Sequence, residues 1–198
     1  MLDREEISKI KKIEGEVRGV VFKTDLKYVE KNKSKEEAEN VKKEVQKIDP
    51  DFNHDKIQSM GWYPLWWRVL ILLVIKDRFN WKDSDLYEMG RMAPTNSFIV
   101  KTLLTYFVSF KKTCYEAPNF WVKHYSRGNF ELTEYSEIKK TVIYRISDFK
   151  VHPVLCPYLT GYFQGIAELT NKGSNIGTEE EACPFREGEY HEFVIRWK

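Results

Sequence analysis

The chain has 198 residues, of which 42% are hydrophobic and 31% charged, a balance that suits one folded domain and excludes a disordered or fibrous protein. Its 32 basic and 30 acidic residues are interspersed, and the formal net charge of +2 argues against nucleic acid as a partner. The longest apolar run, residues 65–75, falls short of the ~20 residues that span a bilayer. Three cysteines and the absence of a signal-peptide pattern predict a cytoplasmic protein with free thiols.

The first half of the chain predicts mainly helices. Residues 5–13 suit a short helix, and residues 14–22 alternate like a strand. Ser34 and Glu37 have the spacing of a capping box, which predicts that a surface helix begins there and ends near the Asp49-Pro50-Asp51 segment.

Three more helices are expected before residue 111. Pro64 suits the first position of an apolar helix, which should be central. Asp83 or Ser84 caps a helix that runs to about Met92 and is interrupted by Pro94. Residues 97–110 form another largely apolar helix.

From residue 130 the pattern changes to short alternating runs. Residues 130–135, 141–146, 174–182 and 190–197 predict strands, with one helix at 157–169. The last two strands should pair antiparallel around the short 184–189 connection. We therefore predict a single α+β domain, residues 1–198, in which a helical layer packs on a small antiparallel sheet.

Aromatic residues make up 15% of the chain, more than a small core needs. They leave room for a cavity that binds a small hydrophobic molecule, although the same side chains could form plain core. The candidate lining residues by type are Trp66, Trp67, Phe98, Phe107 and Phe110.

A cysteine and histidine set near the C-terminus predicts a metal site. Pro157 favours a helix start, which makes Cys156 its N-cap, where the helix dipole lowers the pKa of the thiol. His191 alternates with the apolar residues of the last strand, and a hairpin would bring Cys183 close to it. These three side chains, with His152 or water as a fourth ligand, suit zinc. The alternative is two buried thiols and a hydrogen-bonded core histidine.

The same residues carry a resemblance. Cys156-Pro157, the glycines at 161 and 165, and a Cys183–His191 pair spaced by eight resemble the end of the 4-vinyl reductase domain family. In that family a second cysteine stands where His191 lies, and the turn glycine comes one position before Gly188. The family belongs to a superfamily with the haem nitric-oxide/oxygen-binding sensors and the TRAPP tethering subunits. The resemblance implies the NO-signalling/TRAPP-like ligand-binding fold.

The haem sensors of that superfamily have two features that this sequence lacks. Their axial histidine should fall in the helix at residues 97–110, which contains no histidine, and His124 lies beyond Pro118 on the far side. The nearest counterpart of their Tyr-x-Ser-x-Arg signature, residues 144–148, has no serine or arginine at the required positions, and residues 125–127 have the wrong spacing. We therefore expect that haem is not the cofactor.

The leading functional prediction is a non-enzymatic sensor or binding domain for a small hydrophobic ligand, with zinc as the candidate cofactor. The alternatives are a TRAPP-like assembly subunit, and, less favoured, a tetrapyrrole-related reductase or a haem-binding gas sensor. No phosphate loop, GxSxG elbow or HExxH helix supports an enzyme. Because the helices at 65–75 and 97–110 are apolar on several sides, we also expect a homodimer with a helical interface.

Overall fold

The computed structural model describes residues 2–97 and 109–198. Its helices are α1 Arg4–Ile10, α2 Val20–Asn32, α3 Lys35–Ile48, α4 Leu65–Arg78, α5 Asp83–Asn96, α6 Phe110–His124 and α7 Leu155–Thr170. Its strands are β1 Glu16–Arg18, β2 Trp62–Pro64, β3 Asn129–Ser136, β4 Thr141–Ser147, β5 Ile176–Ala182 and β6 His191–Trp197. A short 3₁₀ turn covers His54–Lys56.

The strands of the C-terminal half form one antiparallel sheet in the order β3-β4-β6-β5, and β1 pairs separately with β2. Strand β6 lies between β4 and β5, so both of its edges are hydrogen-bonded and most of its side chains are buried. Its pairing with β5, from Ile176 opposite Trp197 to Ala182 opposite Glu192, confirms the antiparallel hairpin. The α+β class is also confirmed.

The helix starts follow capping chemistry at several points. The Ser34 hydroxyl accepts a hydrogen bond from the Glu37 amide at 3.1 Å, so the predicted cap of α3 is confirmed. The Glu37 carboxylate, however, does not reach back to the cap. It accepts a hydrogen bond from Arg78 of α4 and ties the two helices together.

Helix α4 crosses the centre of the domain. Every residue from Leu65 to Ile75 except Trp66 is buried within the single chain. The apolar faces of this helix are therefore covered without a second copy, which removes one of the two arguments for a homodimer. The other argument rested on residues 97–110, most of which lie outside the described residues.

Two local predictions are wrong, and one helix was not predicted. The strand expected at 14–22 ends at Arg18, because the Gly19 backbone packs against the carbonyl of Gln58 and the chain turns there into α2. Helix α5 continues past Pro94 to Asn96, since the hydrogen bond that a proline removes falls in the last turn. Helix α6 was not expected at all.

Candidate functional site

An internal cavity lies between the helices and the sheet. The empty space between its walls, counted out to its opening towards solvent, is about 1190 Å³. Helices α2, α4, α5, α6 and α7 line it together with strands β3, β4 and β6.

The walls are mostly aromatic and apolar. The Trp121 ring of α6 stacks on Tyr125 with centroids 4.3 Å apart, and Phe130 of β3 stacks on Phe163 of α7 at 5.4 Å. These rings hold one another in place, so the cavity is bordered by rigid surfaces. Further apolar lining residues are Val20, Val21, Ala93, Phe110, Ala117, Phe120, Leu159, Ile166, Ala167 and Ile195.

His124, at the end of α6, lies in the cavity wall. Its Nδ1 is 2.9 Å from the Phe120 carbonyl oxygen. Because a carbonyl only accepts, Nδ1 must carry the proton, and Nε2 of the neutral ring then holds the free lone pair. Burial is the largest cause that lowers the pKa of His124, and the positive charges of Arg18 and Lys123 act in the same direction. The ring is therefore kept in the neutral form that binds metal.

A buried ion pair forms another part of the wall. Arg68 of α4, 1% exposed, donates from Nη1 to the Asp25 carboxylate of α2 at 3.0 Å. The Tyr158 hydroxyl donates to the other Asp25 oxygen at 2.8 Å, and its ring lies 4.5 Å from the guanidinium. Arg68 and Tyr158 both line the cavity, so a mostly apolar space has a charged side chain in its wall.

The structure does not place all of the predicted pocket residues in the cavity wall. Phe110 lines the cavity. Trp66 and Trp67 do not, because they pack on the other side of α4, where the Trp67 indole donates to Asp49 at 2.6 Å. Phe98 and Phe107 lie outside the described residues. The aromatic content suggested a cavity, but it could not indicate which rings face it.

A second cluster joins the start of α7 to the β5–β6 hairpin. The Sγ atoms of Cys156 and Cys183 are 3.6 Å apart. One ligand atom from each of Cys156, Glu180, Cys183 and His191 lies within 4.8 Å of all the others. Two thiolates bound to one tetrahedral ion at about 2.3 Å would lie about 3.8 Å apart, close to the observed separation.

Hydrogen bonds fix the imidazole of this cluster. Nε2 of His191 faces the Phe149 carbonyl at 3.2 Å and therefore donates to it, while Nδ1 lies 2.7 Å from the Glu180 carboxylate. The predicted thiolate at Cys156 is wrong. Helix α7 begins at Leu155 with Val154 as N-cap, and burial, followed by the charge of Glu180, raises the pKa of Cys156. The helix dipole does not overcome the loss of hydration.

The fourth position of the cluster differs from the prediction. His152 is not part of it, because its Nδ1 accepts a hydrogen bond from the Val154 amide at 3.1 Å. Glu180 takes its place. The strand alternation did contain a signal, since Glu180 falls on the same face of β5 as the buried Ile176 and Thr178.

The described helices give no sign of a membrane span: within residues 2–97 and 109–198, none is both long and apolar enough to cross a bilayer.

No family model matches the sequence, and no curated protein is similar to it at a significant level. Solved structures do match. An H-NOX protein from S. oneidensis in the Fe(II)NO state is 15% identical, with a TM-score of 0.66 over 91% of this chain and 99% of that chain. An oxygen-binding H-NOX domain related to soluble guanylate cyclases is 12% identical, with a TM-score of 0.67 over 91% and 95%. A mutant H-NOX protein from K. algicida in the unliganded Fe(II) state is 14% identical, with a TM-score of 0.61 over 91% and 96%.

The chain has the fold of H-NOX domains. This finding confirms the fold that the resemblance implied, and it does not show membership in the 4-vinyl reductase family. It overturns two predictions. The leading functional prediction was a domain that binds a hydrophobic ligand, with a gas sensor only as a minor alternative, and it is wrong. The prediction of zinc rather than haem as the cofactor is wrong as well. Both corrections follow from the similar structures, which are H-NOX domains.

The structure brings to the cavity a histidine that the sequence argument had set aside. The sequence argument searched for an axial histidine at a fixed position in the chain, and it placed His124 on the far side of Pro118. In the structure, His124 lies in the cavity wall. Helix α6 carries it there, and α6 was the helix that the sequence pattern failed to predict.

Proposed function

We propose that this domain is a haem-binding sensor for a small diatomic gas, and that His124 is the residue that would hold the haem iron. The observation that carries the proposal is the state of His124: a neutral imidazole in the cavity wall, with Nδ1 donating to a backbone carbonyl and Nε2 without a hydrogen bond among the described residues. That arrangement is typical of metal-binding histidines, whose second nitrogen is held by a hydrogen bond.

The cavity suits a large flat apolar group. Its aromatic walls provide surfaces for ring stacking, and a carbonyl four residues earlier in α6 orients the His124 ring. When bound, haem supplies an iron position at which a diatomic gas coordinates. The residues of this chain hold His124 in one tautomer, exclude water with apolar side chains, and place Arg68 and Tyr158 at the cavity surface.

The test is a titration of the purified apoprotein with ferric haem, followed by Soret absorbance. We expect binding of one equivalent, and a Soret spectrum characteristic of histidine ligation. His124→Ala should lose that spectrum and regain it when imidazole is added, whereas His152→Ala, a matched control outside the cavity, should behave like the wild type. An unchanged spectrum in His124→Ala would exclude this residue as the ligand, and absence of haem binding by the wild type would refute the function.

A second, separate site is supported by the cluster of Cys156, Cys183, His191 and Glu180. We infer that it holds one transition-metal cation with two sulfur ligands, Nδ1 of His191 and a carboxylate oxygen. The raised pKa of Cys156 means that this thiol must release a proton when the ion binds. The same cysteines resemble those of the 4-vinyl reductase family. On that ground we also propose that the chain belongs to this family.

Cobalt(II) is a suitable probe for this site, because thiolate-to-cobalt charge transfer and tetrahedral d–d bands are visible directly. We expect one equivalent to bind, and Cys183→Ser to abolish the charge-transfer bands. Cys114→Ser is the control, since Cys114 is buried but lies in α6, away from the cluster. Equal bands in both variants would contradict the assignment.

The homodimer remains a prediction, although the apolar surface of α4 no longer supports it. Sedimentation of the full chain at micromolar concentration, with and without haem, tests it. A monomer under both conditions would contradict it.

A further inference from the structure

Arg68 lies in an unusual position for a charged residue. It occurs in the middle of the apolar run of α4, and its side chain is 1% exposed. Burying a guanidinium costs several kcal/mol unless its donors are satisfied and its charge is balanced. Its presence on the cavity wall therefore needs a reason beyond the packing of the helix.

The ion pair with Asp25 satisfies only part of Arg68. Nη1 donates to Asp25, but Nε is buried and has no hydrogen-bond partner among the described residues. An unsatisfied buried donor costs about 1–3 kcal/mol, more when it is charged. Arginine has two edges suited to a carboxylate, and here Nε is the donor that lacks a partner among the described residues.

Arg68 keeps its positive charge in this buried position. Although burial opposes its charge, Asp25 and the nearby tyrosines keep the pKa of Arg68 above its ordinary value, so the guanidinium stays protonated. Burial raises the pKa of Asp25, and Arg68 lowers it. A proton on Asp25 would allow the cluster to remain neutral when a second carboxylate arrives. Tyr125 and Tyr162 also line the cavity, and the charge of Arg68 acts to lower the pKa of both hydroxyls against the larger effect of burial.

No other described arginine occupies a comparable position. Arg127 donates from Nε to the Asp148 carbonyl at 3.4 Å, and it does not line the cavity. Arg145 lies 2.7 Å from the Glu192 carboxylate, on a half-exposed face of the sheet. Arg68 is thus the one permanent cation among the described residues that line the cavity.

We propose that Arg68 is the carboxylate anchor of the cavity: its unpaired Nε donates to a carboxylate of the porphyrin, in place of the Tyr-x-Ser-x-Arg signature that this sequence lacks. The inference rests on the proposed haem function and deepens it. Arg68 acts here as a positioning residue, and it fixes the orientation of the group that His124 ligates. Asp25 and Tyr158 in turn hold the guanidinium in place.

The test compares ferric haem with its dimethyl ester, which has the same ring and iron but no carboxylate. Both are titrated into the wild-type apoprotein and into Asp25→Asn/Arg68→Met, a double variant that removes both charges and so leaves no unpaired buried ion. Arg145→Met is the matched control, since it removes an arginine outside the cavity. Circular dichroism and thermal unfolding of each apoprotein confirm that the variants are folded.

We expect the wild type and Arg145→Met to bind haem roughly tenfold more tightly than the ester, the ratio given by one charge-assisted hydrogen bond. In the double variant the two affinities should agree within about twofold, while the histidine-ligated spectrum is retained. Equal binding of haem and ester by the wild type would overturn the role of Arg68 and leave the haem function standing. Failure of both porphyrins to bind would overturn both proposals.

Discussion

A methyl group added to Gly161 of α7 would lie 1.9 Å from the carbonyl oxygen of Tyr87 in α5. The same close approach occurs at Gly165, where the distance to the Arg91 carbonyl would be 2.1 Å, and at Gly90, where the distance to the Tyr158 carbonyl would be 2.0 Å. The backbones of α5 and α7 are therefore in direct contact. Both helices line the cavity, so this contact positions its walls.

Gly161→Ala should consequently destabilise the protein, because neither backbone can move without displacing a buried helix. We expect a loss of roughly 3 kcal/mol in the free energy of unfolding, measured with urea. Gly177→Ala is the control, since the added methyl group meets nothing within 4 Å there. Comparable losses in the two variants would mean that α5 and α7 are farther apart than described.

The cap of α3 provides a prediction about local stability. Ser34→Ala removes the acceptor of the Glu37 amide and should cost about 1 kcal/mol in unfolding free energy. Ser34→Asp should restore most of that loss, because aspartate is an equally good N-cap and its charge suits the helix N-terminus. If alanine and aspartate are equally destabilising, the cap does not contribute through its hydrogen bond.

The lowered pKa values of three histidines lead us to expect that stability depends on pH. Burial is the main cause that lowers the pKa values of His54, His124 and His152. As the pH decreases, these histidines therefore become protonated in the unfolded chain before they do in the folded protein. The free energy of unfolding consequently falls as the pH decreases below the ordinary histidine pKa of about 6.5. Urea midpoints of the apoprotein should decrease between about pH 7.5 and about pH 5.5.

His54→Gln tests the origin of that decrease. Both ring nitrogens of His54 are buried and without a hydrogen bond among the described residues, so the variant should show a smaller drop over the same range. The carboxylates whose pKa values are lowered, such as Asp55 and Glu137, also stabilise the folded protein, but that contribution is lost only at lower pH. A drop as steep as that of the wild type would assign the effect to other groups.

The thiol of Cys114 should be unreactive. Burial, as the largest cause, raises its pKa to about 11. At pH 8 its thiolate fraction would be about 100-fold below that of a free cysteine, and the rate with a disulfide reagent should fall accordingly. Denaturant should restore the ordinary rate, and a fast reaction in the folded protein would show that Cys114 is accessible.

Local patterns in the sequence were enough to predict much of the fold. The alternation of His191, Phe193 and Ile195 predicted the final hairpin, and the Ser34 cap predicted the start of α3. The approach of Cys156, Cys183 and His191 was also foreseen, because a hairpin and the helix before it are close in sequence. Each of these depends on neighbours within a few dozen residues, where spacing alone determines which side chains face one another.

Only the tertiary structure showed what lines the cavity. Arg68 and Asp25 are 43 residues apart, and Tyr158 joins Asp25 across 133. Periodicity marks a residue as buried, but not which partner it meets, so Trp66 and Trp67 were predicted to line the cavity and His124 was not. Long-range packing decides which face of each helix meets the cavity, and it also provides the buried partners that let a charge remain there.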